Sequence, residues 1–168
     1  MILTGKVWKF PRDDINTGLI RKQQYNHLPP REQGKYCMET LDPTFAGKVQ
    51  PGDFIVAGNN FGCGSSTPAY YGILALGIPA VIAESFAKLF FSNCIGGGLW
   101  PVPCAGILAM VETGDTLEID TVAYTVRNAT HGHVMIAQPL PPLYRAMIEA
   151  GGEKAYLKRR LQHGRQGS

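Results

Sequence analysis

Two short apolar runs organise the chain. Residues 54–58 (Phe-Ile-Val-Ala-Gly) and 78–83 (Ile-Pro-Ala-Val-Ile-Ala) are rich in β-branched side chains and carry no charge, as strands buried on both faces do. Between them, Thr67 suits a helix N-cap and Pro68 a first helical position, predicting a helix over 68–76 that Gly77 ends. Residues 85–93 have helical spacing, Gly96-Gly97-Gly98 breaks it, and 99–102 re-enter a strand. With a strand over 5–10 that Pro11 stops, the rhythm is that of an α/β layer. From Ile107 it changes. Residues 107–111, 116–119, 123–127 and 134–137 are short and β-branched, parted by turns such as Thr113-Gly114-Asp115, and predict an antiparallel meander. Residues 142–150 read as a helix that stops at Gly151-Gly152, and a basic amphipathic helix follows over 154–162. Residues 11–35 are polar and irregular, either a functional or mobile loop or a solvated connector. The expected fold is α/β: one layered domain over 1–152, with a mixed or parallel β core flanked by helices and a C-terminal β meander. Residues 153–168 form a basic helix or tail.

Composition narrows the function classes. Gly and Pro are 32 of 168 residues, short of the roughly 25–30% of low-complexity chains. The net charge is +3, yet residues 153–168 hold five Lys/Arg against one Glu, a net +4. That leaves −1 for residues 1–152, which argues against a nucleic-acid face. The four cysteines (Cys37, Cys63, Cys94, Cys104) form no Cys-x-x-Cys pair and follow no signal peptide. No apolar run approaches the ~18 residues of a membrane span. The expectation is a cytoplasmic protein with reduced thiols and no membrane or nucleic-acid partner.

The segment Asn59-Asn60-Phe61-Gly62-Cys63-Gly64-Ser65-Ser66-Thr67-Pro68 joins a strand end to a helix start. Free helix amides and small residues there can hold a carboxylate or phosphate, and ligands of open α/β sheets gather outside strand carboxyl ends. A plain Gly-rich turn with a Ser/Thr cap fits the same residues. The segment is neither a Walker loop nor a Gly-x-Ser-x-Gly elbow. The four His (27, 131, 133, 163) assemble no triad. His131 and His133 read as part of a turn between strands, where a metal pair lacks a third ligand.

Across nearly the whole chain these motifs resemble, in order, the small subunits of 3-isopropylmalate dehydratases, the swivel domain of the aconitase superfamily. The resemblance runs from Gly5-Lys6-Val7-Trp8-Lys9-Phe10 and Asp13-Asp14-Ile15-Asn16-Thr17 through Pro51-Gly52-Asp53 and the Gly-Ser-Ser loop. It continues through residues 77–87, Phe91-Ser92-Asn93, Gly98-Leu99 and Gly114-Asp115 to Glu149-Ala150-Gly151-Gly152. It implies a hydro-lyase moving a hydroxyl between neighbouring carbons of a hydroxy-dicarboxylate. A [4Fe–4S] cluster held by a partner large subunit would act as Lewis acid, and none of the cysteines here has cluster spacing. Ser65 stands at the position of the catalytic serine base, which needs an anion-stabilising environment such as helix N-terminal amides. Gly64 and Ser66 stand at the substrate-carboxylate contact. Asp13 matches the acid that arranges acid–base groups, or caps its loop.

The chain departs from the family in three places. Thr67, followed by Pro68-Ala69, stands where the family carries a substrate-clamping Arg. Asn16 and Gly18 replace Asp in the amino-terminal motif. The segment that reads the substrate substituent falls at Tyr25, Asn26, His27 and Leu28, where Asn26 and His27 point to a more polar group than isopropyl. Arg21, Lys22 or His27 stand in for the missing Arg, or are solvated loop residues. Two alternatives stay open: a non-catalytic or regulatory swivel subunit, and a relative acting on a methylmalate or citramalate-type acid. Self-association of the isolated chain into a homo-oligomer stays open as well.

Overall fold

Strand β2 (Phe54–Ala57) is buried along its whole length, and so is β3 (Ala80–Ala83). Their side chains alternate between two apolar cores. Ile55, Ala57, Val81 and Ala83 enter one, and Phe54, Val56, Ala80 and Ile82 the other, as the two-residue period of a strand requires. A strand covered on both faces belongs to a parallel layer. β2 pairs in parallel with β1 (Ile2–Phe10) and with β3, and β3 in parallel with β4 (Trp100–Pro103). The computed structural model describes residues 1–64 and 68–166. Its seven strands run in the order β4-β3-β2-β1-β5-β6-β7. β5 (Thr116–Asp120), β6 (Thr125–Asn128) and β7 (Val134–Ile136) extend the sheet as an antiparallel meander from β1, as expected.

Helices cover both faces. On the first, α1 (Thr17–Ile20), α2 (Phe45–Lys48), α3 (Tyr70–Ala75) and α4 (Lys88–Gly97) bury Ile20, Phe45, Ile73, Phe90 and Cys94. On the second, α5 (Ile107–Met110) and α6 (Pro142–Glu149) contribute Ile107 and Ile148. The last helix, α7 (Glu153–Gln166), packs on α4 and α6 and leaves Leu157 and Leu161 exposed. Among the described residues no helix is long and apolar enough to cross a membrane.

Four expectations need correction. The run at 107–111 is a helical turn rather than a strand. Leu, Ala and Met are strong helix formers, Gly106 enters the turn at φ 87°, and the Glu84 carboxylate accepts the amides of Gly106 and Leu108 from across the fold. Helix α3 begins at Tyr70 instead of 68, with no side-chain cap, and the Thr67 cap lies outside the described residues. Helix α4 begins at Lys88 and runs through Gly96 and Gly97. Its start is delayed because residues 85–87 are extended, with Phe86 bridged to Phe61 and the Ala87 amide donating to the Phe61 carbonyl at 3.0 Å. Gly97 is not a break but a close approach: a Cβ there would stand 2.2 Å from the Tyr70 ring of α3. Finally, the stretch 11–35 holds α1 and two 3-10 runs, Gln23–Tyr25 and Pro30–Tyr36, with Tyr25 stacked on Tyr36 at 3.8 Å.

The turn into β5 yields a stability prediction. Asp115 is buried, and its carboxylate accepts the Glu112 amide (2.9 Å) and the Asn128 side-chain amide (2.8 Å) and faces His131 Nε2 (3.2 Å). Burial alone would push this carboxyl up, but the Glu112 amide, Asn128 and His131 outweigh it and hold it below its ordinary value. A depressed folded-state carboxyl stabilises above the unfolded pKa, about 3.9, and that stability is lost as pH falls through the folded value. Asp115→Asn is therefore expected to cost about 1–3 kcal/mol at neutral pH. Urea unfolding at pH 7 and pH 3 checks this, and the gap between wild type and variant should narrow at pH 3.

Candidate functional site

The site lies at the carboxyl ends of the parallel strands, where residues 58–64 leave β2. The segment leaving β1 docks onto it through a ladder of main-chain contacts. The Gly58 amide donates to the Arg12 carbonyl (3.1 Å), the Asp14 amide to Asn59 (2.9 Å), the Gly62 amide to Ile15 (2.8 Å) and the Thr17 amide to Cys63 (2.9 Å). Residues 12–17 thus serve as a rail for the loop. The rail explains two glycines. A Cβ on Gly58 would stand 2.3 Å from Asp13 Oδ1, and one on Gly62 (φ 82°) 2.1 Å from Phe90 Cγ.

Asp13 is exposed and leans over Gly58. Its Oδ1 accepts the Asn59 amide at 2.6 Å and the Asn59 side-chain amide at 3.3 Å. Its loop-capping role is thereby visible. Beside it runs a network that sequence reasoning missed. Asn60 Nδ2 donates to Asp14 Oδ1 (2.8 Å), the Asn60 amide donates to Ser85 Oγ (2.9 Å), and that hydroxyl donates to Asn59 Oδ1 (3.3 Å). The available signal was the Asn-Asn pair before a Gly-rich loop, since Asn is one of the few residues that tolerate left-handed backbone. Asn60 adopts it at φ 57° and Asp14 at φ 53°.

Gly64 closes the described part of the loop at φ 95°, facing Asn16, whose Cβ lies 3.4 Å from the point where a Gly64 Cβ would stand. Asn16 also caps α1, its Oδ1 accepting the Leu19 amide at 2.9 Å. Ser65, Ser66 and Thr67, expected as base and substrate contacts, lie outside the described residues. The helix after the loop, α3, has six residues and starts at Tyr70.

The residues expected to read the substrate substituent or to replace the missing Arg divide in two. His27 is exposed, with Nδ1 2.7 Å from the Gln24 carbonyl, and Leu28 is half-buried, its carbonyl accepting from Gln33 at 2.9 Å. Lys22 pairs with Glu39 at 3.1 Å. Arg21, in contrast, is completely buried and is no solvated loop residue. Burial pushes its pKa down, with Cys37 acting the other way.

The cysteines do not fit a cluster. All four are free, and Cys37, Cys94 and Cys104 are buried. Burial pushes each thiol up, Cys104 to about 11. At half-buried Cys63, burial and then Asp14 do the same. Only a thiolate ligates metal. Among the described residues no three His, Cys, Asp or Glu gather to hold a metal ion. His131 instead faces Asp115.

The chain is similar along nearly its whole length to known proteins. The family described as "Aconitase C-terminal domain" matches residues 7–106. The chain is 40% identical over 166 residues to the 3-isopropylmalate dehydratase small subunit of Heliobacterium modesticaldum, covering 98% of this chain and 100% of that protein. It is 40% identical to the isopropylmalate/citramalate isomerase small subunit of Methanocaldococcus jannaschii, covering 95% of this chain and 96% of that one. The crystal structure of a 3-isopropylmalate dehydratase from the same archaeon superposes with a TM-score of 0.94 at 36% identity, covering 100% of both chains.

Proposed function

This chain belongs to the aconitase C-terminal domain family, and on that footing we propose that it is the small subunit of a two-subunit hydro-lyase that dehydrates and rehydrates a hydroxy-dicarboxylate. The observation that carries this reading is the loop 58–64 at the carboxyl ends of the parallel strands, with Asp13 bonded to its base. A relative named as a small subunit matches along its whole length.

In this reading the large subunit holds a [4Fe–4S] cluster, which supplies Lewis-acid polarisation of the substrate hydroxyl. This chain supplies the opposite wall. Ser65 takes the proton next to a substrate carboxylate, and Gly64, Ser66 and Thr67 contact that carboxylate with amides and hydroxyls. The residues 12–17 rail fixes where the loop stands, and preorganised donors of this kind stabilise developing anions at no cost in reorganisation. Asp13 acts by holding the Asn59 amide and so sets the loop's base. Asn26 and His27 meet the substrate substituent, which makes a shorter or more polar branch than isopropyl the better fit; citramalate, with its single methyl, has the shorter branch. One relative is itself named for both isopropylmalate and citramalate.

The test is co-expression with a cognate aconitase-type large subunit and assay of isopropylmalate, citramalate, dimethylmalate and homocitrate. Turnover of at least one is expected, with citramalate favoured over isopropylmalate. A cluster-loaded complex that turns over none of them overturns the reading.

A further inference from the structure

Arg21 is a buried cation without an anion. Its side chain is fully enclosed, Nε and Nη1 have no hydrogen-bond partner, and Nη2 donates to Asn26 Oδ1. Among the described residues no carboxylate lies within 4 Å of it. Its other close neighbour, Cys37, keeps its proton because burial pushes that thiol up. An uncompensated buried charge is strongly unfavourable, and each unsatisfied buried donor calls for an explanation.

The position supplies one. Arg21 follows α1, its amide donating to the Thr17 carbonyl at 2.9 Å, while the Thr17 amide donates to Cys63 in the loop. Its Cδ lies 3.6 Å from the point where a Cβ on Gly72 of α3 would stand, and Cys37 Cβ lies 3.7 Å from the same point. The side chain thus packs beside Gly72 of the helix that follows the loop. On the other side Arg21 holds Asn26, in the segment between the two 3-10 runs. The end of the rail touches Arg21 at its amide, α3 lies beside its Cδ, and the segment 22–28 meets its guanidinium.

We propose that Arg21 is a carboxylate-binding residue of this site, that a substrate carboxylate is its missing counter-ion, and that Asn26 Oδ1 holds the place this carboxylate takes when segment 22–28 moves aside. This rests on the function proposed above and names the residue that reads the acid. A guanidinium paired with a carboxylate forms charge-assisted bonds about twice as strong as neutral ones, so exchanging the Asn26 oxygen for a carboxylate oxygen favours the bound state.

The test separates this from a structural arginine. The full-length chain is prepared as wild type, Arg21→Met and Arg21→Lys. Each is melted with and without malate, the dicarboxylate probe, and each is assayed in the two-subunit complex. Arg21→Met is expected to melt at or above the wild-type temperature, because an unpaired buried charge is gone. Malate should raise the wild-type melting temperature and leave that of Arg21→Met unmoved. In the complex, KM should rise at least about tenfold with kcat little changed. Should Arg21→Met fail to fold, Arg21→Lys, which keeps the charge and loses the planar fork, is expected to show a weakened malate shift. A malate response equal in wild type and variant, or a lower melting temperature with KM unchanged, overturns the proposal. The malate shift needs no turnover, so an inactive complex would count against the proposed function while the melts still decide the role of Arg21.

Discussion

In the assembled enzyme, Ser65→Ala is expected to lower kcat by roughly 10²–10⁴-fold, the usual contribution of a positioned general base, with KM changed by less than about threefold. The separation of the two constants is the informative part. A hydroxyl that only contacted the substrate would raise KM with kcat held, whereas loss of an interaction made only in the transition state lowers kcat and kcat/KM together. Serine is a poor base unless its anion is stabilised. The described residue before it in the chain is Gly64, with φ 95°, which faces Asn16. Both belong to a frame held by the Gly62–Ile15 and Thr17–Cys63 bonds. Steady-state kinetics of wild type and variant in complexes of matched cluster content measure the effect.

The largest effect on stability is expected from Gly62→Ala. Two independent costs add at this position. A left-handed conformation at φ 82° costs a non-glycine residue about 1–2 kcal/mol. A methyl 2.1 Å from Phe90 Cγ overpacks a buried ring, which costs typically about 1–3 kcal/mol. The ring has little room to yield, since Phe90 is buried and sits edge-on to Phe61 at 5.4 Å. A loss of about 2–5 kcal/mol is therefore expected in urea unfolding. Loop displacement should abolish turnover even where the chain still folds. Gly96→Ala serves as the control, because a Cβ there meets nothing within 4 Å, and it should cost little.

The parts of the fold that were legible are those where one local rule decides. β2 and β3 read correctly because short apolar runs rich in Val and Ile, bounded by Gly and Pro, are too short for a buried helix. The meander followed from turn residues at short spacing. Residues 107–111 were misread because five consecutive apolar residues show no period, and the deciding contact is the Glu84 carboxylate more than twenty residues earlier. The start of α4 was misplaced for a similar reason, since Phe86 is held extended by Phe61, 25 positions away.

In the site, the Gly-rich loop was legible as a loop after a strand. The Asn59–Asn60–Ser85 network was not, because it joins two strand ends through hydroxyl and amide contacts that leave no spacing signal. Arg21 is the sharpest case. Next to Lys22, Gln23 and Gln24 it has the neighbours of a solvated basic residue. It is buried beside Gly72 and Cys37, residues with no local relation to it. A charge that the fold encloses and leaves unpaired becomes visible only once the chain is folded.

The most direct measurement of the central claim is a titration. A cluster-loaded large subunit is held at fixed concentration with citramalate, this chain is added stepwise, and formation of the unsaturated acid is followed by its ultraviolet absorbance. If the loop at the strand ends completes the active site, the rate rises from near zero, saturates at one chain per large subunit, and stays near zero when the added chain carries Ser65→Ala. A rate independent of this chain, or equal for wild type and Ser65→Ala, would contradict the account.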